Sequence, residues 1–130
     1  MKIHTLAAHY KASPEVLFNF LKKEENLPLW ASKFCRRIDK NGNDYIITTL
    51  ENQELYFKID ANADTGVIDM AAGPTKDQMW GGSQRVISDN NGGSVFIFTM
   101  LQAPGQAEEV FDAGCDNLEE EFDTLRKLID

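Results

Sequence analysis

No apolar run in this 130-residue chain approaches the roughly 20 residues that a membrane-spanning helix needs, so integral membrane association is not expected. Met1-Lys2-Ile3-His4 is not followed by an apolar signal core, and nothing marks export. Cysteine is scarce. Cys35 and Cys115 make neither a metal-ligand spacing nor a disulfide framework, so a reduced cytoplasmic protein without a metal site is expected. There is no basic stripe, which argues against nucleic-acid binding. The chain also lacks His-Glu-x-x-His, Cys-x-x-Cys, Gly-x-Ser-x-Gly and a phosphate loop. The pairs Gly81-Gly82 and Gly92-Gly93 lack the strand-to-helix setting of a phosphate cradle. No cofactor is expected.

What charge there is lies unevenly. Of a net charge of −8, residues 105–130 hold −7, from nine acids and two bases. That segment is the outer face of a helix, and its acids read as a solvated surface or as a docking face for a basic partner. Glu108, Glu109 and Asp112 near its start, with Arg126 and Lys127 near its end, suit the helix dipole.

The same segment carries the clearest periodicity in the sequence. Phe111, Cys115, Leu118, Phe122, Leu125 and Ile129 recur in steps of four and three, which places them on one stripe of an α-helix. Upstream, residues 2–11 read as a strand, and Ser13-Pro14-Glu15 supplies a cap, a tolerated first-turn proline and a dipole-favoured acid. Val16, Leu17, Phe20 and Leu21 give that helix an apolar side, and residues 24–30 form a short helical turn bent at Pro28. Turn signals at intervals of about ten residues then separate candidate strands at 34–39, 44–50, 53–61, 67–71, 83–89 and 94–102. The strand from Gln53 alternates most clearly, with Leu55, Phe57 and Ile59 on one face and Glu54, Tyr56, Lys58 and Asp60 on the other. An α+β fold is expected, a single domain over residues 1–130. A curved antiparallel sheet of about seven strands wraps around the long C-terminal helix, with two short helices after the first strand.

This order of elements resembles the helix-grip superfamily of START-type lipid-transfer domains, polyketide cyclase/dehydrase proteins and birch-pollen allergen relatives. The segment from His9 to Leu21, running through Ala12-Ser13-Pro14-Glu15, carries the local resemblance, together with Trp30 after Leu27-Pro28 and the closing helix. The resemblance implies an internal apolar cavity between sheet and final helix and does not select an activity.

Within that frame the final helix divides in two. Ala107, Ala113, Gly114 and Cys115 are small, whereas Leu118, Phe122, Leu125 and Ile129 are large. A mid-helix glycine costs about 1 kcal/mol relative to alanine. Either the small half roofs a pocket, or Gly114 admits a neighbouring side chain. Trp30 is read as core or as cavity rim. Met79 and Trp80, before Gly81-Gly82, resemble an apolar lid on a flexible loop. The expected ligand contacts are Trp30, Tyr45, Phe57, Trp80, Phe98, Met100, Phe111 and Cys115, with His9 and Arg85 as possible polar anchors. Phe96, Phe98 and Met100 are taken as the inward set of their strand, although Val95, Ile97 and Leu101 make its other face apolar too. Monomer and homodimer both stay open. The expected function is binding of a small hydrophobic or amphipathic molecule. A cyclase, dehydrase or isomerase using the same cavity, and a ligand-free interaction module akin to chaperone cofactors, are the alternatives.

Overall fold

The computed structural model describes residues 1–130. Local chemistry sets its first elements. Strand β1 (Ile3–Tyr10) ends at a turn from which helix α1 (Pro14–Leu21) starts, with the Ser13 hydroxyl accepting from the Val16 amide at 3.2 Å and Pro14 in the first turn. A 3-10 turn (Glu24–Asn26) leads into the one-turn helix α2 (Leu27–Trp30), which buries Leu27 and Trp30. Six further strands follow: β2 (Cys35–Asn41), β3 (Asp44–Thr49), β4 (Glu54–Asn62), β5 (Val67–Gly73), β6 (Trp80–Ser88) and β7 (Ser94–Leu101). Helix α3 (Glu108–Ile129) closes the chain.

All seven strands form one antiparallel sheet in the order β1-β7-β6-β5-β4-β3-β2. Period-two alternation sorts its side chains. The inner face carries Leu6, Ala8, Tyr10, Ile47, Phe57, Met70, Val86, Phe96, Phe98 and Met100 and meets the helices. The inward set of β7 is thus Phe96, Phe98 and Met100.

Helix α3 lies along β1. At one end the Lys2 ammonium reaches the Asp112 carboxylate at 2.6 Å. At the other, the buried Tyr10 hydroxyl donates to the Phe122 carbonyl at 3.1 Å, and Asp130 accepts from the Lys11 and Ala12 amides. The Arg126 guanidinium sits 5.0 Å from the Tyr10 ring and donates to the His9 carbonyl. Beneath the second half of α3, Phe96 and Phe122 stack with centroids 5.1 Å apart, and Trp30 and Phe98 meet this pair edge-on or tilted at 5.9–6.4 Å. That half of the interface is filled.

Several boundaries differ from the sequence expectation, three of them in ways that bear on the site or its neighbours. Strand β6 starts at Trp80, so Gly81 and Gly82 are strand residues and not a flexible loop. A Cβ on Gly81 would fall 1.8 Å from the Met70 carbonyl oxygen, so only glycine lets β6 lie this close to β5. Helix α3 begins at Glu108, without a side-chain cap, because residues 103–106 turn on their own hydrogen bonds between Gln102, Ala103 and Gln106. Strand β2 runs to Asn41, two residues past the expected end.

Candidate functional site

The expected site residues fall into three places on the inner face. Tyr45, Phe57 and Trp80 lie in one cross-strand row, since Tyr45 pairs with Phe57, Phe57 with Ala72 and Ala72 with Trp80. Trp30 and Phe98 belong to the aromatic stack. Met100, Phe111 and Cys115 gather at the first half of α3.

This third group has unusual chemistry. His4 is the register partner of Met100 and shares the inner face of β1 with Leu6, Ala8 and Tyr10. It therefore lies beneath α3 between the Lys2–Asp112 and Tyr10–Phe122 links. Its Nε2 is buried and has no hydrogen-bond partner. Above it, the helix offers the buried Phe111, then Gly114 and the half-buried Cys115. The Met100 methyl fills the space at Gly114, where a Cβ would stand 3.2 Å from it. Across the sheet, the register partner of Met70 is Gly82, which also brings no side chain. Two flexible thioethers, Met70 and Met100, thus stand near Gly82 and Gly114 and near one polar nitrogen without a partner. Methionine adapts readily to such gaps.

The polar anchors expected from sequence lie elsewhere. His9 is on the outer face of β1, mostly exposed, with Nε2 2.7 Å from Asp89 Oδ2. Arg85 is on the outer face of β6 and donates to the Thr65 carbonyl. Both are one residue out of phase with the inner face; for His9 the sequence offers no guide, since β1 mixes Ile3, Leu6, Ala7 and Ala8 and gives no alternation from which to fix its phase. His4, five residues earlier on the same strand, faces inward instead. Tyr45 faces inward, but its hydroxyl donates to Glu25 at 2.8 Å, a bond that pushes its pKa up to about 12. Trp80 is partly exposed, and its indole N–H donates to the Leu101 carbonyl at 3.1 Å.

One carboxylate departs from the expected solvent-facing set. Glu121 is 4% exposed, and one carboxylate oxygen accepts from the Lys33 and Phe34 amides, both at 3.1 Å. Burial pushes its carboxyl up to about 7 against the opposing effect of those amides. It ties α3 to the turn between α2 and β2. Its spacing from Leu118, Phe122 and Leu125 was the available signal, since i−3, i+1 and i+4 neighbours place it at the edge of the apolar stripe. No group of three or more His, Cys, Asp or Glu side chains converges to hold a metal ion, and no helix is long and apolar enough to cross a membrane.

An open sheet gripping a long C-terminal helix, with two short helices after the first strand, defines the helix-grip fold, and this chain has it. Comparison with solved structures bears this out. The protein XoxI of Bacillus cereus superposes with a TM-score of 0.78 at 12% identity, covering 99% of this chain and 96% of its own. The di-domain ARO/CYC BexL from the BE-7585A biosynthetic pathway gives 0.74 at 11% identity, over 98% of this chain and 46% of that one. A START superfamily protein from Mycobacterium smegmatis gives 0.64 at 12%, covering 98% and 96%. At these identities the likeness concerns the fold. No protein-family model and no curated protein matches the sequence.

Proposed function

We propose that this domain binds a small apolar or amphipathic molecule between the sheet and the first half of α3, with Met100 as the movable filling and His4 as the polar contact. The observation that carries this reading is the buried, unpartnered Nε2 of His4 beneath α3. Such a group costs about 1–3 kcal/mol, which a hydroxyl or carbonyl on a bound molecule would recover. Displacing the Met100 methyl from Gly114 makes room without moving backbone. The ligand's apolar body then contributes roughly 25 cal/mol per Å² buried. Of the expected contacts, Met100, Phe111 and Cys115 line this place, and Trp30 and Phe98 in the aromatic stack close its far end. The row of Tyr45, Phe57 and Trp80 lies beyond Met70.

Binding fits this geometry better than turnover. Proton transfer needs a second polar group near His4, whereas His9 and Arg85 lie on the other face and the Tyr45 hydroxyl is held by Glu25. The aromatic stack favours the interaction-module alternative to the extent that it fills half of the interface.

Native and denaturing mass spectra of freshly purified protein test the proposal, followed by titration with the neutral fluorophore N-phenyl-1-naphthylamine. Extra mass in the native spectrum alone, or saturable fluorophore binding, supports it. Replacing His4 by Leu is expected to leave the fold intact and to weaken a hydroxyl- or carbonyl-bearing ligand by about tenfold, the worth of one hydrogen bond. A bare mass together with no fluorophore binding overturns it.

A further inference from the structure

The wall beside this site is built differently from the rest of the sheet. Backbone pairing between β6 and β7 runs from Ser88↔Ser94 to Arg85↔Ile97 and stops there, although both strands continue. In the same register, Ser83 would face Thr99 and Gly81 would face Leu101. Side chains take their place. Gln84, 1% exposed, accepts from the Thr99 amide at 2.7 Å and donates to the Thr99 carbonyl at 3.3 Å. Its amide copies a peptide group of the missing ladder. The Trp80 indole N–H supplies the next bond, to the Leu101 carbonyl. Gly82 lies against this edge, where a Cβ would stand 2.9 Å from the Thr99 carbonyl oxygen.

The strands on either side remain fully laddered. Residues 80–82 of β6 pair with β5 through Ala72, Ala71 and Met70, and residues 98–101 of β7 pair with β1 through Leu6, Thr5, His4 and Ile3. Separating β6 from β7 here therefore breaks three side-chain hydrogen bonds and no register pair of the ladder. On the outer face of the sheet, beside the seam, is an open depression of about 560 Å³ whose lining includes Lys58, Asp60, Asp69, Ser83, Trp80 and Leu101. On the inner face are Met100 and His4. The opposite end of the interface is closed by the aromatic stack and by the Tyr10, Arg126 and Asp130 links.

We propose that this seam is the passage by which a ligand reaches the site under α3, with Trp80 as its latch and the Gln84 amide as its hinge-side bridge. The proposal rests on the binding reading above. On β6 the opening is lined by Gly81 and Gly82 between the Trp80 and Ser83 side chains, so the route admits a narrow molecule, either a flat ring system or a single acyl chain, with no branched body.

Stopped-flow binding of N-phenyl-1-naphthylamine to the wild type and to Trp80→Phe tests it. The variant keeps the ring but loses the indole donor. Association and dissociation rates should both rise about tenfold, the effect of one lost hydrogen bond, while Kd stays within about twofold. A weaker Kd with an unchanged association rate would make Trp80 a site contact and overturn the passage. Unchanged rates would overturn it as well. Absence of binding to the wild type would instead remove the binding reading, and the passage with it. Hydrogen exchange on the ligand-free wild type adds a readout that needs no fluorophore. The Thr99 amide, held by Gln84 alone, should exchange at least tenfold faster than that of Ile97, and equal protection would also overturn the proposal.

Discussion

Glu121 is a buried carboxyl whose charge state is coupled to folding. Its carboxyl is raised from the ordinary 4.5 to about 7 by burial, so folding favours the protonated form. Its stabilising contribution is complete below the ordinary carboxylate range and is lost as pH rises through about 7. Denaturant unfolding of the wild type at pH 5 and pH 8 should therefore show lower stability at pH 8, by an amount on the order of 2–3 kcal/mol. Glu121→Gln keeps an oxygen for the Lys33 and Phe34 amides and removes the titration, so its midpoint should vary much less between the two conditions. Single residues were also where the sequence was least legible. The stripe from Phe111 to Ile129 announced itself, yet Glu121 at its edge passed for one more acid on an acidic helix. His4 and His9 could be placed on opposite faces but not assigned to either, since the phase of a strand is set by what it packs on.

At the scale of elements the reading was firmer, because period and punctuation are local. The Ser13-Pro14 start, the alternation through Phe57 and the asparagine-glycine turns all sit where the chemistry put them. The seam between β6 and β7 was not legible. Gln84 acts there as a surrogate peptide group, and Gly81-Gly82 mimics a loop signal while serving a close strand contact. The division of α3 into small and large halves was visible, and the structure shows Met100 occupying the room that Gly114 leaves. Gly114→Ala follows from this. The added methyl meets only the end of a flexible side chain, so the helix should gain most of the propensity difference, about 0.5–1 kcal/mol, read as a higher unfolding midpoint. If Met100 cannot shift, the variant will be destabilised instead.

For the molecule as a whole, charge and topology matter together. The acids of α3 crowd one surface, and only Asp112, Glu120 and Asp123 have basic partners within 4 Å. Raising the salt from about 0.01 M to about 0.15 M shortens the screening length from ~30 Å to ~8 Å and should raise the thermal midpoint by a few degrees. A midpoint that falls with salt would mean that these surface pairs outweigh the repulsion. The links from Tyr10, Lys11 and Ala12 to Phe122 and Asp130 have a further consequence, in the order of synthesis. All seven strands are translated before the 22 residues of α3, so the inner face of the sheet must wait for its only long cover. At ordinary elongation rates that wait lasts about one to four seconds, long enough for strand pairing and for capture by a chaperone. The nascent chain is therefore most vulnerable to aggregation just before its last helix is made.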